Sequence, residues 1–343
     1  MAGHRNWRLG LVVALVACMP AMALADAEVW LVGSGIEVMA MDSGPTPPAG
    51  VADHIVDVVP QSAIMLSGVP TSSWTYGCSA TSAGMMFGYY DRTGFPDMYT
   101  GPANGGVCPL ADLGNQCSII ATENGFDGRA TYGHVDDYWV SYGTPGPDPF
   151  EAAPRPEQTW GGCTADYMGT NQWKWDFVGG DGIKDFNCDG STALFSYSSA
   201  TKLYDYKPPA SAGLPQTALC HGMRLFVESR GYTVVENYTQ KIEELYAGGF
   251  SFADYMTEID AGYPVMIQVE GHTMVGVGYD VLGNTVYLHD TWGDYVGSMT
   301  WGTSYSDMAH EAVTVIHITP EPATLLLMGA GSLAMMWVRR RRV

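Results

Sequence analysis

The sequence predicts an α+β fold in which a cysteine-bearing helix packs on an antiparallel sheet, with a long loop-rich insertion between the two. Small and apolar residues recur at helical spacing directly after Cys78. A second amphipathic helix, SFADYMTEIDAG, is followed by three short segments typical of strands: YPVMIQVE, HTMVGVGYD and NTVYLHDTW. Between them, residues 95–215 are rich in Gly, Pro, Asp and aromatics and have little sustained periodicity, which indicates the insertion.

Composition narrows the class of protein. Hydrophobic residues make up 46% of the 343 residues, enough for a core, while 42 glycines and 20 prolines indicate many turns. The formal net charge of −20 argues against nucleic acid as a partner and favours cationic ligands.

The first 25 residues have the three parts of a secretory signal peptide. Arg5 and Arg8 precede an apolar run, and the Ala23-x-Ala25 pattern supplies a cleavage site. The stretch LVAC, which ends at Cys18, also resembles a lipobox, so lipid attachment remains an alternative. Both alternatives imply export. Residues 26–68 are then interpreted as an exposed N-terminal segment and a turn-rich linker.

Residues 319–343 form a tail of three ordered parts. Pro320, Glu321 and Pro322 precede an apolar run at 323–338, and four arginines follow at 339–342. An apolar run followed by arginines predicts a short membrane span with a positively charged stop. The tail resembles the PEP-CTERM sorting signal of Gram-negative bacteria. That resemblance implies transient contact with the membrane, processing by an exosortase, and delivery to the cell surface or extracellular matrix. A permanent tail anchor is the alternative.

Cys78 is the first candidate catalytic residue. A thiol at a helix N-terminus lies at the positive end of the helix dipole, which favours the thiolate. Six cysteines remain after the signal peptide, and export permits disulfides. If Cys78 is a nucleophile, five are left and cannot all pair, so either one more thiol is free or Cys78 itself is bridged.

His272 and Asp290 are the candidate base and orienting acid. They lie on successive predicted strands, and two glycines, Gly276 and Gly278, leave room on the face of His272. A three-residue turn with Gly283 in the left-handed region makes His272 and Asp290 a diagonal pair about 7 Å apart. A four-residue turn would separate them onto opposite faces, so the site requires an odd-length turn or a compensating bulge.

Together these residues predict nucleophilic attack on a carbonyl. Cys78 attacks as thiolate, His272 takes its proton and returns it to the leaving amine, and Asp290 fixes the imidazole tautomer. The order of GCSATSAGMMFGYYD, EIDAGYPVMI, GHTMVGVGYD and TVYLHDTW resembles the papain-like cysteine peptidases, specifically the C-39-like group. The resemblance covers about 69–91 and 250–316, implies a papain-like domain at 69–318, and assigns the same three residues as the catalytic triad.

The expected oxyanion hole departs from that family. The main-chain N–H of Cys78 supplies one donor, but the usual glutamine five or six residues earlier is replaced by Ser73 and Ser72. The nearest glutamine is Gln61. One lost oxyanion donor typically costs about 100- to 1000-fold in rate, so one of these residues or a main-chain amide substitutes, or the enzyme is slow or inactive.

A weak calcium loop is the last candidate site. Asp185, Asn187 and Asp189 with Gly190 match the first half of an EF-hand loop, and Asp181 lies just upstream. Position twelve is Ser196, which lacks the bidentate carboxylate. The chemistry of the triad requires no cofactor, and calcium is expected at most as a structural ion; a solvated turn is the alternative.

The leading hypothesis is therefore an exported cysteine peptidase that acts on protein or peptide substrates. The alternative is a catalytically inactive papain-like module with an adhesive or matrix role, and amide transfer on the same triad is a third option.

Overall fold

The computed structural model describes residues 29–75, 77–99, 107–112, 119–120, 163–170, 190–209 and 218–320. Within them the chain forms a mixed α/β structure with few helices, in which the two larger sheets are antiparallel and the small β4-β5 sheet is parallel. The predicted signal peptide, the proposed calcium residues at 181–189, most of the insertion at 95–215 and the apolar tail at 323–338 lie outside the described residues.

The elements are numbered in chain order. The strands are β1 Val29–Gly33, β2 Ile36–Met41, β3 Ile64–Met65, β4 Thr71–Ser72, β5 Ala111–Asp112, β6 Thr192–Tyr197, β7 Leu203–Tyr204, β8 Tyr232–Lys241, β9 Val265–Val269, β10 His272–Asp280, β11 Thr285–His289, β12 Gly297–Thr300 and β13 His310–Pro320. The helices are α1 Cys78–Thr93, α2 Thr164–Met168, α3 Leu219–Ser229 and α4 Phe252–Asp260, with short 3-10 turns at Val51–His54 and Leu282–Asn284.

The main sheet carries the candidate site. Its strand order is β12-β11-β10-β9-β13-β8-β7, and β3 adds to the far end of β10. All nine residues of β10 are buried because both faces of the sheet are covered. Val275 packs in the core that includes α1 and α3, whereas Met274 packs in the core that includes α4. Alternate residues of one strand therefore serve two cores.

The helix predicted after Ser251 is present with its expected boundaries. Ser251 caps α4 through the main-chain N–H of Asp254, and the Asp254 carboxylate accepts from Ser251 in return, which completes a capping box. The predicted apolar face consists of Phe252, Tyr255, Met256 and Ile259; Met256 is half-buried and the other three are buried. Gly262, with φ 88°, follows the helix end. These short-range signals are strong because each involves residues less than one turn apart.

The N-terminal segment is not the exposed linker that its composition predicts. Ile36–Met41 pairs antiparallel with Thr192–Tyr197, and Met39 and Met41 are buried against α1 and its neighbours. The expectation of exposure over the whole segment was wrong because the covering partner strand lies about 150 residues further along the chain. No local pattern reports a partner so distant.

Among the described helices, none is long and apolar enough to cross a membrane. The span that the sequence predicts lies in the tail, beyond these residues.

Candidate active site

Cys78 is the first residue of α1, and the glycine before it makes this position possible. Gly77 has φ 110°, a conformation that favours glycine, and a Cβ there would lie 2.2 Å from the Gly190 carbonyl oxygen. The hydroxyl of Thr81 donates to the Gly77 carbonyl at 2.8 Å and accepts from the Thr75 amide at 2.9 Å. The turn that aims Cys78 is thus fixed from within the helix.

Two serines of α1 attach the Cys78 end of the helix to β10. The Ser79 hydroxyl lies 2.8 Å from the Thr273 hydroxyl, and the Ser82 hydroxyl donates to the Thr273 carbonyl at 3.0 Å. A main-chain hydrogen bond from Thr273 also reaches the Cys78 sulfur. Since Thr273 follows His272, these contacts bring the thiol beside the first peptide of β10. No described hydrogen bond joins the Cys78 sulfur directly to the imidazole.

The turn between β10 and β11 satisfies the register condition in the second of the two ways predicted. Asp280 pairs with Thr285, which leaves a four-residue connection, and Gly283 is left-handed with φ 76°. The register shifts between Gly276 and Gly278, so a bulge at Val277 compensates for the even turn. Val275 then pairs with His289, and His272 and Asp290 lie on the same face.

His272 is held through the main chain of Asp290. Its Nε2 lies 2.8 Å from the Asp290 carbonyl oxygen, and because a carbonyl only accepts, Nε2 carries the proton. Nδ1 is then the unprotonated nitrogen of the neutral ring, and it has no hydrogen-bond partner among the described residues. The ring stacks on Trp292 with centroids 3.9 Å apart and planes 4° from parallel. One nitrogen is fixed as donor, and the other is available as a base.

The Asp290 carboxylate does not make the contact with His272 that the sequence suggests. It accepts from the hydroxyls of Tyr295 and Tyr305 at 2.8 and 2.7 Å, and from the Trp292 amide at 3.0 Å. These three donors bend the turn after β11, where Thr291 adopts φ 73°. The bend directs the carbonyl, rather than the carboxylate, toward the imidazole.

The two glycines of β10 also differ in role from the prediction. A Cβ at Gly276 would lie 2.6 Å from the Tyr255 hydroxyl, and one at Gly278 would lie 2.3 Å from the Met65 sulfur. Tyr255 of α4 donates to the Gly278 carbonyl at 2.8 Å. The space that they leave is filled by α4 and β3, so these glycines permit close packing of the sheet and do not open the site.

Burial controls the electrostatics of the pair. Cys78 and His272 are each 0% exposed. Desolvation raises the pKa of Cys78 to about 11, although main-chain hydrogen bonds from Thr273 and Ser79 and the Ser79 hydroxyl oppose it. Desolvation likewise lowers the pKa of His272 to about 3, against the hydrogen bond to Asp290. A helix dipole stabilises a thiolate by roughly 0.3–1 kcal/mol, and the cost of desolvating the charged thiolate is larger here. The raised pKa of Cys78 and the lowered pKa of His272 therefore favour a neutral thiol and a neutral imidazole rather than the expected thiolate.

The three oxyanion candidates lie in different surroundings. Ser72 is buried in β4, and Ser73 is half-buried in the loop that leads to Cys78. Gln61 is an exposed turn residue, and no hydrogen bond described for this part of the chain links it to the Cys78 loop. The two serines are therefore the nearer candidates along the chain.

The described cysteines include free thiols. Cys78 and Cys220 are both free, and the Cys220 sulfur donates to the Asn237 side-chain oxygen at 3.0 Å. A second free thiol is what a free Cys78 requires. Cys117 and Cys188 lie outside the described residues. Within those that are described, no group of three His, Cys, Asp or Glu side chains is arranged to hold a metal ion.

Sequence reasoning missed several residues around the pair. Trp292 and the tyrosines at 295 and 305 follow Asp290 closely, and the aromatic content of that stretch was the available signal. Trp74 and the segment Asp42–Gly44 also lie at the site, through hydrogen bonds that no sequence spacing indicates.

Comparison with known families matches the part of the chain that contains the imidazole and its turn. Residues 200–313 match the Peptidase_C39 like family. The suspected family resemblance is thereby confirmed for β7 to the start of β13. His272 and Asp290 lie inside this C39-like region, whereas Cys78 lies before it.

A second match covers the tail. Residues 319–342 match the PEP-CTERM protein-sorting motif, as the three ordered parts predict, and Pro320, Glu321 and Pro322 stand at its start. The motif points to export and surface association in a Gram-negative bacterium and is consistent with recognition by an exosortase. No curated protein and no solved structure matches the chain significantly.

Proposed function

We propose that this chain is an exported cysteine peptidase with a papain-like arrangement, in which Cys78 is the nucleophile and His272 the base. The observation that carries the proposal is the neutral imidazole of His272, fixed by its Nε2–H bond to Asp290. Its buried Nδ1 has no partner among the described residues. A positioned base of this kind, at the start of the strand to whose first peptide α1 attaches a helix-terminal thiol, has the components of nucleophilic catalysis.

The reaction proceeds in two halves. Nδ1 of His272 accepts the thiol proton, and the Cys78 sulfur bonds to the carbonyl carbon of a peptide bond, which moves an electron pair onto the carbonyl oxygen. When that oxyanion collapses, the C–N bond breaks and Nδ1 returns the proton to the leaving amine. Water then attacks the thioester, with Nδ1 again as base, and releases the acid and the thiol. The Cys78 amide, with Ser72, Ser73 or a main-chain amide, receives the oxyanion.

Asp290 acts in this proposal as a positioning residue. Its carboxylate fixes the turn through Trp292, Tyr295 and Tyr305, and its carbonyl fixes the imidazole. The PEP-CTERM tail supports sorting to the cell surface or matrix after contact with an exosortase.

The burial of Cys78 and the absence of the expected glutamine favour a second candidate, a catalytically inactive papain-like module with a matrix role. Labelling separates the two functions.

The first test is reaction of the purified chain with a peptidyl electrophile at pH 5 to 8, followed by mass mapping. We expect an adduct on Cys78 and none on Cys220, which lies on α3 away from the candidate base and donates to the Asn237 side-chain oxygen. His272→Ala should slow the Cys78 adduct by roughly 100-fold, the usual worth of a general base. His221→Ala, a histidine elsewhere in the fold, is the control. A Cys78 found in a disulfide, or an adduct rate that His272→Ala leaves unchanged, contradicts the peptidase and favours the inactive module.

A further inference from the structure

The strap is our name for Asp42–Gly44, three half-buried residues between β2 and the 3-10 turn at Val51–His54. The strap lies against the start of the strand that bears the imidazole. The amides of Asp42 and Ser43 both donate to the Gly271 carbonyl at 3.0 Å, and the Ser43 hydroxyl donates to the same oxygen at 2.7 Å. Gly271 directly precedes His272, so the strap is tied to the peptide beside the base.

Two tryptophans bind the strap from either side of the candidate site. The Trp74 indole donates to the Ser43 carbonyl at 2.8 Å, and the Trp292 indole donates to the Gly44 carbonyl at 3.0 Å. Trp74 stands four residues before Cys78 on the same loop. Trp292 is the ring that stacks on His272. The carbonyls of Ser43 and Gly44 are therefore held by two groups, one on the loop that leads to Cys78 and one stacked on His272.

Nearly all of these contacts involve the main chain of the strap. Of the five hydrogen bonds, four use an amide or carbonyl of Asp42, Ser43 or Gly44, and one uses a side chain. Other peptides carry the same kinds of group, because every residue has a main-chain carbonyl and every residue except proline has an amide N–H. The groups that hold the strap are accordingly able to bind the main chain of another peptide in trans.

The pair next to the strap is closed. Cys78 and His272 are 0% exposed, so a substrate reaches neither side chain unless a neighbouring segment opens. The Asp42 carboxylate adds a negative charge whose field raises the pKa of the Cys78 thiol further. Its Oδ1 would lie 3.1 Å from a Cβ placed on Gly271. The charge of the strap thus opposes ionisation of the thiol.

We infer that Asp42–Gly44 is an intrinsic competitor that occupies the peptide-binding cleft, and that Trp74 and Trp292 receive main-chain carbonyls of an extended peptide substrate once the strap leaves. The binding of a peptide substrate by Trp74 and Trp292 rests on the proposed peptidase function, whereas the occupation of the cleft by the strap does not. Release requires only local opening, because β2 and the 3-10 turn at either end can stay in place while the strap detaches.

The test compares Ser43→Pro with Thr46→Pro in the full chain. Proline at 43 removes the amide and the hydroxyl that donate to Gly271, whereas Thr46 is an exposed residue just beyond the strap. The probe is iodoacetamide, with the alkylation of Cys78 and Cys220 followed separately by mass spectrometry. We expect Ser43→Pro to accelerate Cys78 alkylation about tenfold, as the loss of one to two hydrogen bonds allows, and to leave Cys220 unchanged. Thr46→Pro should leave both thiols unchanged.

A peptide added in trans gives the second arm. Acetyl-AMDSGPTPP-amide, the sequence of 40–48, should restore slow alkylation to the Ser43→Pro protein, and a peptide of the same composition in scrambled order should not. Equal Cys78 alkylation in wild type and Ser43→Pro overturns the inference, as does failure of the peptide to protect.

Wild-type protein supplies an arm that needs no substitution. Hydrogen exchange of the Asp42 and Ser43 amides and alkylation of Cys78 should report the same opening free energy. Cys78 alkylation that requires global unfolding, while the strap amides exchange freely, overturns the inference even if the variant fails to fold.

The possible outcomes distinguish a failure of the strap inference from a failure of the proposed peptidase function. Faster Cys78 alkylation in Ser43→Pro with no dependence on His272 supports the occupied cleft and contradicts the peptidase. If the peptidase is active, Trp74→Phe in the Ser43→Pro background should raise KM for an extended peptide about tenfold and change kcat less, since it removes one donor to a carbonyl. An unchanged KM contradicts the role given to Trp74.

Discussion

Asp290 contacts the imidazole through its main-chain carbonyl, while its side chain holds the turn that follows β11. The carbonyl accepts a hydrogen bond from His272, and the carboxylate accepts hydrogen bonds from two tyrosine hydroxyls and a main-chain amide. Burial raises the pKa of this carboxyl, although the donors from Tyr305, Trp292 and Tyr295 oppose that effect. The sequence identifies Asp290 as important but does not identify which of its oxygens meets the imidazole.

The variant Asp290→Asn tests this division of roles. An amide oxygen still accepts from the Trp292 N–H, so the turn and the carbonyl should stay in place, and kcat/KM should fall less than tenfold. Where an aspartate carboxylate itself holds the catalytic histidine, as in serine-protease triads, the same substitution costs about 10⁴-fold. Steady-state kinetics across pH 5 to 9 measures the difference.

Asp290→Ala is the matched variant for that experiment. It leaves the hydroxyls of Tyr295 and Tyr305 without their acceptor and should destabilise the fold by roughly 1–3 kcal/mol. A loss near 10⁴-fold in Asp290→Asn, with unfolding unchanged, would return the orienting role to the carboxylate.

At the scale of elements, α1 depends on glycines that its helical periodicity does not reveal. The helix is buried from Cys78 to Asp91, and at Gly84 a Cβ would lie 2.2 Å from Ile120 Cγ1. A Cβ at Gly88 would lie 2.6 Å from the Cys108 sulfur. A segment from the loop-rich region thus approaches the helix backbone closely and holds it against the sheet.

Gly84→Ala sets helix propensity against packing. Alanine favours a helix over glycine by about 1 kcal/mol, but overpacking of a full core costs about 1–3 kcal/mol. Since the contact is with a side chain at 2.2 Å, we expect net destabilisation of about 1 kcal/mol, measured as a lower urea midpoint at unchanged m-value.

Ile120→Ala completes a double-mutant cycle for this contact. The double variant should be more stable than the sum of the single effects predicts, because the shortened side chain makes room for the new methyl group. Strict additivity would show that Ile120 and Gly84 are not in contact.

For the whole molecule, His317 links three elements that enclose the core on the α4 side of the sheet. From β13, its Nε2 lies 2.7 Å from Glu258 of α4 and its Nδ1 lies 3.2 Å from Glu236 of β8. Burial lowers the pKa of His317, but the hydrogen bond and charge of Glu258, together with Glu236, raise it above the usual 6.5 overall. The histidine is therefore more easily protonated in the folded chain.

A raised histidine pKa fixes the sign of the pH dependence. The added stability is fully present below the unfolded pKa of about 6.5 and is lost as the pH rises through the folded pKa. His317→Gln should therefore lower the free energy of unfolding by roughly 0.5–1 kcal/mol at pH 5.5, and the difference should shrink toward pH 9. Urea unfolding at the two pH values measures it.

Glu258→Gln is the control for that prediction. It should remove most of the same pH dependence while keeping a hydrogen-bond acceptor near Nε2. A His317→Gln effect that is constant from pH 5.5 to 9 would mean that packing, not charge, accounts for the contribution of this histidine.

The sequence by itself determined the features that depend on neighbours within a turn or a hairpin. The helix that Ser251 begins and the start of α1 at Cys78 both follow from local backbone and side-chain chemistry. The requirement for an odd turn or a bulge also followed from the two-residue period of strands, and the structure meets it with the bulge at Val277. The ordered parts of the tail were sufficient to predict its sorting motif.

Only the tertiary structure decided the features that join distant parts of the chain. The pairing of β2 with β6 and the contact between the strap and Gly271 span more than 150 residues. The state of the thiol depends on burial by such elements, and desolvation in a packed core outweighs the local helix dipole. Local patterns therefore identified the residues that carry the chemistry, whereas long-range packing set their exposure, their protonation and the oxygen that each one meets.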